Sequence, residues 1–251
     1  MAARGPTEPA GGLSLTVLGC DGSWPGPGGA CSGYLVRSAT TTVLLDAGPG
    51  TFANLQLTCD PDSVDAVVLS HHHPDHWTDL LSLVTHARFG SGRRHPCPVL
   101  APAGLAARTG LAGSPTLAWR TVADGSHEPV GDLSLRFHRT WHPGETLAVR
   151  LDGGGRSLGY SADSGPGWEP ALLGTALDLL LCEATYTAEH EGRLDHLSGR
   201  QAGERARRAG ARRLVVTHRW PTIDPGTLVA EAASAFGGPV EGAVIGKEWT
   251  L

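Results

Sequence analysis

The sequence predicts a single α/β domain of four layers, αββα, in which two mixed β-sheets pack between outer helices. Two successive blocks of strand-like segments, each accompanied by helical segments, indicate the two sheets, and no linker separates the blocks. Hydrophobic residues make up 40% of the 251 residues, enough for a packed core. Residues 1–12 are predicted to be a disordered tail, and residues 13–251 the folded domain.

The first block combines short apolar strands with one longer amphipathic helix. The spacing of Leu80, Leu81 and Val84 predicts a helix over Trp77–Phe89, and a shorter helix is predicted over Pro102–Thr109. Alternating or continuous apolar runs predict strands at Leu13–Leu18, Gly33–Arg37, Thr41–Leu45, Val64–Leu69 and Cys97–Ala101.

The second block repeats this style. Ser198 is predicted to cap a helix that runs to Ala209, where Gly210 ends it, and a last helix is predicted over Thr227–Phe236. Strands are predicted at Leu133–His138, Thr146–Leu151, Ser157–Tyr160, Leu177–Cys182, Leu214–Thr217 and Gly242–Ile245.

Charge and cysteine content narrow the function classes. A formal net charge of −5 lacks the basic excess of a nucleic-acid binder, so nucleic acid is not expected as a partner. Five cysteines without a CxxC pair argue against a disulfide framework and against a thiolate zinc site. Without a signal-peptide or membrane-spanning run, the protein is predicted to be cytoplasmic, with no membrane partner. One basic run is predicted to form the solvated face of a helix: Arg205, Arg207, Arg208, Arg212 and Arg213.

A dense group of metal-ligand residues follows the predicted strand Val64–Leu69. Because a strand alternates faces, His71 and His73 point the same way, whereas His72 points away and is not a predicted ligand. A turn at Pro74 brings Asp75 and His76 to a neighbouring point, so one segment offers ligands to two adjacent metals. Imidazole and carboxylate suit two divalent ions, with zinc expected and manganese or iron as alternatives.

This run, SHHHPDHWTDL, resembles the HxHxDH signature of the metallo-β-lactamase superfamily. The resemblance implies a four-layer αββα metallo-β-lactamase sandwich and three further ligands, each placed just after a strand. The matching positions are His142 in TWHPGET, Asp163 in GYSADSG and His218 in LVVTHRWP, and Asp46 in LLDAGPG matches a residue that supports the metals. One metal would then be held by His71, His73, His142 and Asp163, and the other by Asp75, His76, Asp163 and His218.

Three other segments resemble the tRNase Z-like branch of that superfamily: TVLGCDGSWPGPGGACSGYLV, LLLCEATY and DHLSGRQAGERARRAGARRLVVTH. Within the branch the sequence is similar to actinobacterial cyclic-nucleotide phosphodiesterases. The resemblance makes His196 a candidate general acid, which Glu183 would orient by a hydrogen bond. Relatives of this kind often form dimers, so a homodimer is an expectation from the resemblance.

The sequence departs from the tRNase Z pattern at two places, and both differences argue against pre-tRNA processing. Between His142 and Asp163 only a hairpin fits, where long-form bacterial tRNase Z carries a long Gly/Pro-rich arm that grips tRNA. The segment that closes the family pattern is replaced by His218-Arg219-Trp220-Pro221.

The predicted function is a metal-dependent phosphodiesterase that hydrolyses a small phosphodiester, such as a cyclic nucleotide, through a metal-held hydroxide. Asp75, His196 and Glu183 are the predicted catalytic residues. Two alternatives remain open: an acyl hydrolase acting on a lactone or thioester, and a metallo-fold partner protein of a biosynthetic pathway with little activity.

Overall fold

The structure, a computed structural model, describes residues 12–90, 92–93 and 95–251. The predicted tail therefore lies outside the described residues, apart from Gly12. Among the described residues, no helix has both the length and the apolar character needed to cross a bilayer.

The described chain is built mostly from short strands. In chain order these are β1 (Ser14–Gly19), β2 (Gly33–Arg37), β3 (Thr42–Leu45), β4 (Ala66–Val68), β5 (Cys97–Ala101), β6 (Leu117–Thr121), β7 (His127–Val130), β8 (Leu133–Arg139), β9 (Leu147–Gly153), β10 (Arg156–Tyr160), β11 (Leu179–Glu183), β12 (Leu214–Thr217), β13 (Val240–Gly242) and β14 (Glu248–Thr250). The α-helices are α1 (Thr51–Thr58), α2 (Leu80–Phe89), α3 (Leu105–Arg108), α4 (Gly199–Arg208) and α5 (Pro225–Phe236), and short 3-10 helices occupy Pro61–Ser63, Pro74–His76, Pro170–Leu173 and Ala188–His190.

The strands form two mixed sheets of seven strands each. The first sheet has the order β14-β1-β2-β3-β4-β5-β6, and the second has the order β13-β12-β11-β10-β9-β8-β7. In the first sheet β1 to β3 are antiparallel and β3 to β6 are parallel. In the second, β7 to β10 are antiparallel and β10 to β13 are parallel.

Three apolar layers hold these elements together. The inner faces of both sheets share one core, to which β1 contributes Leu15 and β8 contributes Phe137. A second core lies between the first sheet and the helices α1 and α2, with Leu55 and Leu80 fully buried. A third lies between the second sheet and the helices α4 and α5. The arrangement is the αββα metallo-β-lactamase sandwich that the sequence predicts.

Some elements differ from the predictions. The last predicted strand, Gly242–Ile245, is displaced: the strand is Val240–Gly242, and the chain turns after it. The helix predicted from Trp77 begins only at Leu80, because the 3-10 turn after His73 continues through His76. The edge strands β6 and β7 were not predicted, since their residues are largely exposed and carry little apolar pattern.

Candidate metal centre

The predicted ligands gather where several strands of the two sheets end. His71 to His76 follow β4, His142 follows β8, Asp163 follows β10 and His218 follows β12. In the second sheet β8, β10 and β12 run in the same direction, so their carboxyl ends lie at one edge of that sheet. The segment after β4 reaches the same point from the first sheet, as the contacts of His71 and His76 with Asp163 show.

Four side chains form the first ligand group: His71, His73, His142 and Asp163. Nδ1 of His73 lies 3.0 Å from Nε2 of His71 and 3.3 Å from Nε2 of His142. Oδ2 of Asp163 is 3.4 Å from Nε2 of His71 and 3.7 Å from Nε2 of His142.

A second ligand group lies on the other side of Asp163 and contains Asp75, His76 and His218. The two Nε2 atoms of His76 and His218 are 3.3 Å apart, and Oδ2 of Asp75 is 3.5 Å from the first and 3.3 Å from the second. Oδ1 of Asp163 lies 3.1 Å from Nε2 of His76 and 3.3 Å from Nε2 of His218. Asp163 thus presents one carboxylate oxygen to each group.

These distances match the needs of a metal ion. Ligand atoms bound tetrahedrally at about 2.1 Å from zinc lie about 3.4 Å from one another, close to the separations in both groups. Oδ1 of Asp163 is buried, and although Nε2 of His76 lies 3.1 Å away, this oxygen accepts no well-aligned hydrogen bond from the described residues. A buried acceptor without a donor is costly, and a cation between the groups would satisfy it.

The electrostatic environment of the two ligand groups also favours a bound cation. Burial, together with the charge of His76, lowers the pKa of His71 to about 3, which leaves the neutral imidazole that metals bind. For His76 burial acts in the same direction, but the carboxylates of Asp163, Asp75 and Asp46 outweigh it and raise its pKa well above the ordinary value. Three carboxylates at one enclosed point therefore favour positive charge there, which divalent cations supply.

Outer hydrogen bonds fix the orientation of the imidazoles. Nδ1 of His142 lies 3.1 Å from the carbonyl oxygen of Asp195, and Nδ1 of His218 lies 3.0 Å from Oγ1 of Thr185. Because each Nδ1 is engaged, Nε2 of both residues is left facing the ligand groups. Partners of this kind hold the ring and its tautomer in place before a metal binds.

Asp46 is the main support beneath the groups. Its Oδ2 lies 2.8 Å from Nδ1 of His76 and accepts hydrogen bonds from the hydroxyls of Ser70 at 2.8 Å and Tyr160 at 2.6 Å. The Ser70 hydroxyl also lies 3.0 Å from Nδ1 of His71. One buried carboxylate thereby orients an imidazole from each group, which agrees with the supporting position expected for Asp46.

The backbone is strained around this centre. Of the five residues other than glycine with positive φ in the described chain, four adjoin it: Ser23 (64°), Asp46 (56°), Ala162 (50°) and His218 (53°). Such conformations cost free energy and persist where packing enforces them, commonly at functional sites. At Ser23 this conformation directs the amide to Oδ2 of Asp75, at 2.8 Å.

His196 and Glu183 form a hydrogen-bonded pair beside both groups. Nδ1 of His196 lies 3.1 Å from Oε1 of Glu183, and its ring stacks on that of His218 at 5.5 Å between centroids. Burial lowers the pKa of His196, but the charge and hydrogen bond of Glu183 outweigh it and raise the pKa to about 9. The pair can therefore hold a proton close to the ligand groups.

The remaining expectations have mixed outcomes. His72 lies outside both groups, near Gly144, as the strand alternation predicts. The predicted exposed basic helix face is wrong for Arg205, which is buried and donates hydrogen bonds to the carbonyls of Trp168 and Pro166. It is also wrong for Arg212 and Arg213, which follow the end of α4 and precede β12. The supporting residues Ser70 and Tyr160 were missed, since no local pattern marks them. Thr185 lay within the LLLCEATY resemblance without an assigned role.

The αββα fold and this His/Asp centre define a metal-dependent hydrolase. The chain belongs to the metallo-β-lactamase superfamily, in its tRNase Z-like branch: a family model described as "Beta-lactamase superfamily domain" matches residues 41–219. It is 37% identical over 246 residues to an uncharacterized protein of Mycobacterium tuberculosis, covering 92% of this chain and 90% of that protein.

Two further relatives support the branch. The probable metallo-hydrolase YhfI of Bacillus subtilis is 30% identical over 247 residues, covering 94% of this chain and 99% of YhfI. Its crystal structure superposes with a TM-score of 0.88 and covers 95% of this chain and 99% of that one. Ribonuclease Z of Methanopyrus kandleri is 27% identical over 263 residues, covering 89% of this chain and 93% of that enzyme.

Proposed function

We propose that this protein hydrolyses a small phosphodiester, such as a cyclic nucleotide, with two divalent cations. Zinc is the metal we expect at both positions. We further propose that His71, His73, His142 and Asp163 hold one cation, and that Asp75, His76, Asp163 and His218 hold the other.

The observation that carries this proposal is the hydrogen-bonded pair of buried Glu183 and half-buried His196 beside the ligand groups. Cleavage of a phosphodiester expels an alkoxide, which is a poor leaving group unless it is protonated. Attack on a reactive ester has less need of such an acid, so a dedicated proton donor favours the phosphodiester.

His196 and Asp75 have separate roles in the proposed reaction. Bound divalent cations would neutralise the phosphate charge and make water a stronger nucleophile at neutral pH. His196 holds a proton, and with Nδ1 engaged by Glu183 its Nε2 is the nitrogen left to donate that proton to the leaving oxygen. Asp75 belongs to the second ligand group, and its Oδ2 accepts a hydrogen bond from the amide of Ser23; it would also help to orient the attacking water.

The shape of the chain favours a small substrate over a folded RNA. Only the hairpin of β9 and β10 lies between His142 and Asp163, so no long arm projects from this part of the structure. The net charge of −5 also gives little general attraction for polyanions.

A hydrolysis panel on zinc-reconstituted protein tests the proposal. The substrates are bis-p-nitrophenyl phosphate, 2′,3′- and 3′,5′-cyclic nucleotides and p-nitrophenyl acetate. We expect phosphodiester turnover that chelation abolishes. Turnover of the acetate ester without any phosphodiester turnover would overturn the proposal in favour of an acyl hydrolase, and inactivity on the whole panel would overturn it in favour of a pathway partner protein.

A further inference from the structure

Trp141, which precedes His142, lies on a shelf formed by two glycines. A Cβ atom on Gly165 would lie 2.3 Å from Cε3 of the indole, and one on Gly167 would lie 2.8 Å from its Cγ. Any larger residue at either position would push the ring away. Even so, Trp141 remains 51% exposed, because the ring is covered by backbone on one side and open on the other.

Hydrogen bonds hold the backbone of this glycine shelf in place. The amide of Gly165 donates to the carbonyl of Trp141 at 2.7 Å. The buried guanidinium of Arg205 donates to the carbonyl of Trp168 at 2.8 Å and to that of Pro166. Charge-assisted bonds of this kind hold the shelf rigidly, and the indole is thereby presented in a fixed position.

Trp141 lines a cavity of about 730 Å³ that adjoins the first ligand group. This volume is in the range of small-molecule sites. His142 lines the same cavity, as does Asp195, which precedes His196. Its other walls combine apolar side chains, Pro143 and Leu172, with polar ones, Arg139 and Glu169.

We infer that this cavity binds the nucleobase of the phosphodiester, stacked on the open face of Trp141. The inference rests on the proposed phosphodiesterase function and narrows its substrate class to nucleotides. A flat indole with polar groups around it suits a planar group with polar edges better than an alkyl chain. Base stacking on an aromatic side chain is strong and needs no particular sequence of hydrogen bonds.

A second aromatic pair, Trp24 and Trp220, lies near the second ligand group, because the amide of Ser23, which precedes Trp24, donates to Oδ2 of Asp75. Their rings are 6.1 Å apart with 36° between the planes, so each partly covers the other. Among the described residues, no glycine has the ring of Trp24 or Trp220 among the nearest atoms to its Cβ position, in contrast to Gly165 and Gly167 beside Trp141. Trp24 is 45% exposed, close to Trp141, which makes Trp24→Ala a matched control.

The test is calorimetric binding to zinc-loaded protein of two probes, adenosine 5′-monophosphate and ribose 5-phosphate, which differ only in the base. We expect the wild-type protein to bind adenosine 5′-monophosphate at least about tenfold more tightly than ribose 5-phosphate. Trp141→Ala should bring the two affinities together by weakening the nucleotide alone. Trp24→Ala should keep the wild-type ratio. Gly167→Ala, which displaces the indole without removing it, should lower the ratio in the same way as Trp141→Ala.

Three results would overturn the inference. The first is equal affinities of wild type for the two probes. The others are an affinity ratio that Trp141→Ala leaves unchanged and a ratio that is lost in Trp24→Ala instead. Turnover of bis-p-nitrophenyl phosphate, measured on the same samples, separates this outcome from failure of the proposed function. Turnover with equal affinities overturns the nucleobase site alone. Absence of turnover overturns the phosphodiesterase, whereas the binding ratios still decide whether the base site exists.

Discussion

Nδ1 of His196 lies 3.1 Å from Oε1 of Glu183, a carboxylate that is only 1% exposed. The same carboxylate accepts hydrogen bonds from the Thr185 hydroxyl at 2.7 Å, from the amide of Leu197 at 3.2 Å and from the amide of Ser164. Thr185 in turn contacts Nδ1 of His218 at 3.0 Å. One buried acid thus connects the proposed proton donor with a residue of the second ligand group.

Replacing the proton donor should slow turnover without removing metal. In His196→Ala we expect kcat for a cyclic nucleotide to fall by about 10²- to 10⁴-fold, the usual contribution of general acid catalysis. Zinc content, measured by atomic emission, should stay at the wild-type value. His190→Ala is the control, since His190 lies on the same loop outside both ligand groups. Full activity in His196→Ala would exclude the acid role.

Removing the charge of Glu183 should change the pH dependence of the reaction. His196 must be protonated to donate, so kcat falls as the pH rises through its pKa. Glu183 raises that pKa. In Glu183→Gln the pKa drops, and the alkaline limb of the pH–kcat profile should move to lower pH than in wild type. Superimposable profiles would show that Glu183 does not tune His196.

The Tyr160 hydroxyl should matter for metal affinity. In Tyr160→Phe the ring volume remains, but Asp46 loses a donor at 2.6 Å, and zinc affinity should fall by about 10- to 100-fold. Competition with a chromogenic chelator measures this. Tyr34→Phe is a matched control: Tyr34 is also buried, its ring is 5.3 Å from that of Tyr160, and its hydroxyl pairs with Thr217 instead. Equal losses in both variants would contradict the support assigned to Asp46.

Arg205 should contribute to stability although it belongs to a basic run. Arg205→Met leaves the carbonyls of Pro166 and Trp168 without their charged donor, at a cost of about 2–3 kcal/mol in the free energy of unfolding. Urea denaturation at fixed zinc concentration measures it. Arg207→Met, on the exposed side of the same helix, should stay within about 0.5 kcal/mol of wild type. Similar values for the two variants would mean that the buried contacts contribute little.

The site was more predictable from sequence than its supports. His71, His73, Asp75 and His76 are close in the chain, so strand alternation and one turn suffice to bring them together. The bonds from Tyr160 to Asp46 and from Thr185 to His218 join segments that meet only in the folded chain, and neither hydroxyl carries a local signal.

Arg205 shows the same limit in another way. Helical charge pattern predicts an exposed side chain, but its acceptors are backbone carbonyls, at Pro166 and Trp168, which have no sequence signature. The edge strands β6 and β7 were missed for a related reason, because exposed edge strands do not need the apolar alternation that marks buried ones.

The most direct test of the central claim is a zinc titration of metal-free protein with bis-p-nitrophenyl phosphate hydrolysis as the readout. Because Asp163 presents one carboxylate oxygen to each of the two ligand groups, we expect the rate to reach its plateau at about two equivalents of zinc. Asp163→Asn should show no comparable rise. Hydrolysis that persists in chelated protein, or a fully loaded protein that leaves the phosphodiester intact, would contradict the assignment of this centre as a two-cation phosphodiesterase.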